Sequence, residues 1–172
     1  MASLSLATSG TGVVLMPPLD VQELYELHSE LVYRTALRVT GNPADAEDAL
    51  QSVFARLIAV HEIPNAAALP KQYFRKAAAN AALDILRRKS TRAETPIDYA
   101  AQRASHGAPA LLKEELRRAL AEVEPRDAEL FVLRFVEGLD NEELAGMFGV
   151  EKGWVAVRLH RIRLQLQAAL SR

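Results

Sequence analysis

The sequence contains no cysteine. That excludes a disulfide framework, a thiolate metal site and a cysteine nucleophile. Its 4 histidines are too scattered to build a metal centre, so no metal is expected. No apolar run approaches the roughly 20 residues that a membrane-spanning helix needs, so no membrane insertion is expected. Between Met1 and Leu19 there is no Lys or Arg, and the positive start of a secretory signal is missing. Residues 1–19 are small and polar and end near Pro17 and Pro18, which reads as a disordered tail. No nucleophile–base pair stands out. A cytoplasmic protein is expected by default, with no constellation behind an enzyme reading and no cofactor called for.

Net charge is also nearly absent, at −1 over 172 residues. The total conceals a pattern. Residues 1–62 hold 3 basic and 8 acidic side chains, whereas 63–92 hold 7 basic and 1 acidic. Residues 113–151 hold 5 basic and 11 acidic, and 152–172 hold 5 basic and none acidic. An acidic block followed by a basic block therefore occurs twice. Screening makes a field local, so each basic block can attract phosphate whatever the sum. The plainer alternative is blockiness on solvated helix faces.

What is present is helical. Asp20 followed by Glu23 resembles a capping box. Leu24, Leu27, Leu31, Ala36 and Leu37 then hold a helical period to about Thr40. Gly41 is a left-handed stop, Asn42 a cap and Pro43 a first-turn residue for the next helix. Ala46, Leu50, Val53, Phe54 and Leu57 give that helix an apolar side, to about Val60. A third helix spans about Pro70 to Lys89, with Phe74, Ala77, Ala78, Ala81 and Ile85 inward. Residues 93–110 have Pro, Gly and Ser but no period, which reads as a flexible linker. Helix resumes near Leu111, breaks at Glu124-Pro125, and continues from Arg126 to about Glu137. With no strand-like alternation, the expected class is all-α. The domains expected are 20–92 and 111–172.

The second unit has helix-turn-helix form. Asp140 and Glu143 make a capping box before a short helix ending at Phe148, and Gly149 supplies the turn. In the helix from about Lys152, Val155, Leu159, Ile162, Leu166 and Leu170 must face the core. At 100° per residue, Trp154, Val157, His160 and Arg161 then face out, flanked by Arg158 and Arg163. Such a basic outer face suits a major groove, where Arg pairs with guanine edges or phosphates. An ordinary three-helix bundle with a solvated basic helix has the same spacing.

The wording of the motifs goes further. Residues 149–161, Gly-Val-Glu-Lys-Gly-Trp-Val-Ala-Val-Arg-Leu-His-Arg, resemble the recognition helix of extracytoplasmic-function (ECF) sigma factors. Residues 35–57, with Asp45-Ala46-Glu47-Asp48 followed by Gln51 and Phe54, resemble region two of that family. Residues 71–88 resemble the region-two helix that opens DNA. The resemblance implies a protein that binds RNA polymerase core and directs it to promoters by reading minus-ten and minus-thirty-five elements. Its partners would be the polymerase beta-prime clamp, promoter DNA and an anti-sigma factor. Asp48, Gln51 and Arg56 are the implied polymerase contacts, with Asp45 and Glu47 adding acidic surface. The acidic groups also suit the first turn of their own helix. Lys71, Tyr73, Arg75, Lys76, Asn80, Arg87 and Arg88 are implied for the minus-ten strand, together with the loop His61 to Leu69. Lys152, Trp154, Arg158, His160 and Arg161 are implied for the minus-thirty-five element.

The chain departs from the family pattern at Ala79, where Arg is usual, at Trp154 for Thr, at Ala156 for Lys and at Val157 for Ser. Trp154 can pack on sugars and thymine methyls, or fold back on its own domain. These losses motivate a second reading, a sigma-like interaction module that binds polymerase or an anti-sigma factor with weakened DNA binding. The pattern predicts that Arg161→Ala weakens minus-thirty-five binding and leaves core affinity unchanged, as measured by electrophoretic shift and core pull-down. Equal loss of both would mean that the variant has unfolded.

Overall fold

A computed structural model describes residues 21–59, 71–92 and 108–171. The expected tail, the loop His61 to Leu69 and most of the expected linker lie outside the described residues. Those described form seven helices and no strand: α1 (Val21–Thr40), α2 (Pro43–Ala59), α3 (Lys71–Arg92), α4 (Ala108–Glu122), α5 (Pro125–Phe135), α6 (Asn141–Phe148) and α7 (Lys152–Leu170). The expected all-α, two-unit plan holds. One boundary moves: α4 starts at Ala108, ahead of the expected 111. Pro109 sits in its first turn, where a missing N–H leaves no bond unmade.

The stops are those that local chemistry demands. Gly41 has φ 67° and its N–H donates to Leu37 O at 2.8 Å. A β-carbon there would also collide with the guanidinium of Arg117 from α4. Asn42 Oδ1 accepts from Asp45 N at 3.1 Å and caps α2. Asp140 accepts from the N–H groups of Glu142 and Glu143, while Glu143 accepts from Asp140 N, which completes the predicted capping box. Gly149 is left-handed with φ 63°, as the turn requires. Glu151 makes no side-chain cap bond to α7.

Helix α1 differs from its predicted stripe. Leu27 is 66% exposed, whereas Val32, Thr35, Ala36 and Val39 are buried. The inward line includes His28, whose ring stacks on Phe74 at 4.0 Å between centroids. An imidazole in that line shifts the true stripe away from Leu27. Phe74 is fully buried, with Phe54 at 6.0 Å and Tyr73 edge-on at 5.3 Å. This aromatic cluster joins α1, α2 and α3.

Helix α3 is buried on more than one side. Phe74, Ala78, Ala81 and Ile85 form the predicted face. Ala79, Ala82, Leu83 and Leu86 are buried as well, and at 100° per residue they point some 80–180° away from Phe74. The helix packs on α1 and α2 and also on α4 and α5. The two units are therefore in contact through α3, an arrangement that the apolar pattern did not predict. The second unit has its own core, in which Leu130, Leu133, Leu144, Val155 and Ile162 are each 1% exposed or less.

Burial and the charge of Lys71 push the His28 imidazole below its ordinary value of 6.5. The neutral ring is thus favoured in the folded state. Its contribution is complete above the unfolded value and is lost as pH falls through the lowered folded value. Stability should therefore fall on acidification below about pH 6.5. His28→Phe keeps a ring against Phe74 and should flatten this part of the dependence. Thermal melts of both proteins from neutral to mildly acid pH check the difference in slope.

Candidate nucleic-acid interface

Helix α7 presents the expected outer face. Val155, Leu159, Ile162 and Leu166 are buried, which leaves Lys152, Trp154, Val157, His160 and Arg161 exposed. Lys152 Nζ lies 3.6 Å from Glu142, an exposed pair in which both side chains stay more than half accessible. Such a pair is worth little and frees Lys152 readily. His160 and Arg161 make no described ion pair.

Arg158 behaves differently. Its Nε donates to Asp127 Oδ1 at 2.6 Å, and Asp127 is buried at the start of α5. This bond, with the charge of Asp127, raises the pKa of Arg158 further above its already high value. The Arg158 guanidinium also lies 5.9 Å from the Trp154 ring, and that of Arg126 lies 5.5 Å from it. Arg126 Nη2 donates to Phe148 O at the end of α6, at 3.4 Å. Trp154 thus has cationic neighbours from its own domain on hand, a favourable use of its ring, and remains 38% exposed. The set Asp127, Arg158, Trp154 and Arg126 ties α5, α6 and α7 together and fixes the angle of the helix-turn-helix.

On α2, Glu47, Asp48, Gln51 and Arg56 are exposed. Asp45 departs from the expectation of acidic surface. It is only 8% exposed and pairs with Lys89 of α3. The pair pins the start of α2 to the end of α3, and the burial follows from Asp45 adjoining Ala46 on the inner face. Asp84 lies 3.5 Å from Arg56 and 3.2 Å from Arg87. With Ser52 and Arg88 these side chains line a notch of about 310 Å³ between α2 and α3.

On α3, Lys71, Tyr73 and Arg88 are exposed, while Arg75, Lys76, Asn80 and Arg87 are half-buried. Three of those four meet acids of the second unit. Asn80 Nδ2 donates to Glu129 Oε1 at 2.9 Å. Lys76 Nζ is 3.8 Å from Glu129 and 4.8 Å from the centre of the Phe148 ring. Arg75 Nε is 3.6 Å from Glu137, an ion pair beyond hydrogen-bonding reach. Arg38 of α1 donates to the same carboxylate at 3.2 Å. The side chains of Glu129 and Glu137 are 8% and 2% exposed. Burial raises the pKa of Glu129, and Lys76 and Asn80 oppose that rise. Neither acid stood out in the sequence. The only available signal was the excess of acids in 113–151.

Among the described residues no group of His, Asp and Glu is placed to hold a metal ion, and no helix is long and apolar enough to cross a membrane. Residues 24–92 match the family described as Sigma-70 region 2, and 113–166 match that described as Sigma-70, region 4. The chain is similar to the ECF RNA polymerase sigma factor SigE of Mycolicibacterium smegmatis, with 33% identity covering 91% of this chain and 63% of that one. It thus spans under two thirds of that relative's length. It is 29% identical to the RNA polymerase sigma-E factor of Streptomyces coelicolor, covering 88% of this chain and 86% of that one. It is 32% identical to the RNA polymerase sigma factor SigV of Bacillus subtilis, covering 81% and 86%.

The geometry separates Arg158 from Arg161. Removing the Arg158 side chain leaves the buried Asp127 without its partner. Discounted for the partial exposure of Arg158, Arg158→Ala should cost about 1 kcal/mol of second-domain stability. Arg161→Ala should stay within about 0.5 kcal/mol, as a surface change does. Chemical denaturation followed by circular dichroism distinguishes the two.

Proposed function

This chain belongs to the ECF sigma-factor family, and from that premise we propose that it binds RNA polymerase core through α2 and directs promoter-specific initiation through α3 and α7. The observation that carries the proposal is the exposed basic outer face of α7, set on a helix-turn-helix whose angle is fixed by the Arg158–Asp127 bond. A helix of that kind can enter a major groove with Arg161 and His160 toward base edges and Lys152 toward a phosphate. Trp154 offers the accessible part of its ring to sugars or thymine methyls. On the other unit, Glu47, Asp48, Gln51 and Arg56 offer an acidic, exposed helix face suited to a basic coiled coil such as the clamp. Arg75, Lys76 and Asn80, with Lys71, Tyr73, Arg87 and Arg88, supply positive charge, a ring and an amide for an unpaired minus-ten strand.

The chain contributes binding, and RNA synthesis belongs to the core enzyme. An anti-sigma factor is part of the same reading. It rests on the family resemblance. The second reading, an interaction module with decayed DNA binding, loses part of its motive. Ala79 is fully buried, so a small residue there answers a packing demand.

In vitro transcription with purified core polymerase on a genomic promoter library tests the proposal. Transcripts should start downstream of a shared pair of elements and should require this chain. Core binding without promoter-dependent transcripts would overturn the DNA half and favour the interaction module.

A further inference from the structure

We propose that Glu129 and Glu137 of the second domain act as anionic stand-ins for nucleic acid, holding Arg75, Lys76 and Asn80 in a closed form in which α3 cannot take a DNA strand. The inference rests on the reading of α3 as the strand-binding helix. It adds that the free chain masks that helix with its own α5 and the turn after it.

Four observations converge. First, the groups are matched in kind. Asn80 gives its amide to Glu129 as it would to a base edge, and Arg75, Lys76 and Arg38 surround two carboxylates as they would surround phosphate oxygens. Second, the acids are buried in the contact, with Glu137 at 2% and Glu129 at 8% side-chain exposure. A carboxylate is kept out of water only where cations and donors replace its hydration. Third, the blocks that meet are the oppositely charged ones. Residues 63–92 hold 7 basic and 1 acidic side chain, and 113–151 hold 11 acidic and 5 basic. Fourth, α3 is built for cover on this side. Ala79, Leu83 and Leu86 are buried on the face that also carries Arg75. An Arg at position 79 would place a long cation where this fold leaves no room.

The same contact extends to α1. Arg117 Nε of α4 donates to Val39 O at 3.0 Å, across Gly41. The closed form therefore also engages the C-terminal end of α1. Opening releases Arg75 and Lys76 of α3 together with Arg38 of α1, because the two carboxylates hold all three.

The test uses the full chain without polymerase. Since the chain has no cysteine, Ala55→Cys and Gln165→Cys place two spin labels, one on each unit and nowhere else. Pulsed dipolar spectroscopy reads their separation. Anisotropy of a short fluorescein-labelled single-stranded DNA of mixed sequence reads strand binding. Glu129→Gln with Glu137→Gln keeps the shapes and removes both charges. Ala79→Gln is an independent, neutral wedge. Circular dichroism confirms that each variant retains its helices.

Both kinds of variant should lengthen or broaden the separation and tighten strand binding by about tenfold, in the ordinary range for coupling between two states. Adding Arg75→Ala and Lys76→Ala to the double variant should abolish the gain while leaving the separation long. An unchanged separation in both kinds of variant would overturn the closed form. A longer separation with no gain in strand binding would instead overturn α3 as the strand-binding helix.

Discussion

Helix α3 is covered on two sides, and the arrangement of the other helices follows from that. Its first face carries Phe74 into a ring cluster with Phe54 and His28 and holds α1 and α2 together. Its second face, with Ala79, Leu83 and Leu86 buried, receives α4 and α5. Alanine is what allows both contacts at once. Its side chain is small enough for helix axes to approach closely, and it favours helix while losing no rotamer freedom. A longer residue at Ala78 or Ala79 would push one neighbour away.

The chemistry of the second face sets how firmly it holds. The two carboxylates and the cations around them lose hydration on closing, and their attraction offsets that loss only in part. Removing either member is worse than keeping or separating both, because a buried unpaired charge is left behind. Such a contact is selective about geometry and modest in net strength. A purely apolar face would hold more tightly and would not recognise the groups that it covers. In the second domain the logic is reversed. Asp127 and Arg158 tie helices of one unit together, and there the pair acts as a brace that orients α7.

Much of this was legible in the sequence because it depends on neighbours. Gly41, Asn42, Pro43, Asp140, Glu143 and Gly149 stop and start helices through bonds that reach no more than a few residues. The outer face of α7 followed from the spacing of Val155, Leu159, Ile162 and Leu166. What did not emerge depends on distant partners. Asn80 and Glu129 lie 49 positions apart, and Arg38 and Glu137 lie 99 apart. A periodicity argument has no access to such pairs. The same limit explains Asp45, whose burial comes from Lys89 on another helix, and Leu27, which a stripe including His28 leaves outside. The second face of α3 was hidden because alanines and cations alternate around it, so no single apolar stripe stands out.

Two of the departures from the family pattern, Ala79 and Trp154, make contacts within the chain, whereas Ala156 and Val157 are exposed. Ala79 lies where a cation would prevent cover, and Trp154 lies near two guanidinium groups that an aromatic ring can hold. Each exchanges a polar contact outward for a contact within the chain. Neither removes the exposed Arg161, His160 and Lys152, whose positions on α7 need no partner to be maintained. The exposed positive charge that long-range attraction to DNA uses is therefore carried by α7. Attraction through those exposed groups acts before any close contact forms. On the proposed reading Arg75, Lys76 and Asn80 become available only once the two domains part, whereas Lys71, Tyr73 and Arg88 are exposed already. In the proposed scheme promoter contact by α7 is compatible with the closed form, and full strand contact by α3 follows opening.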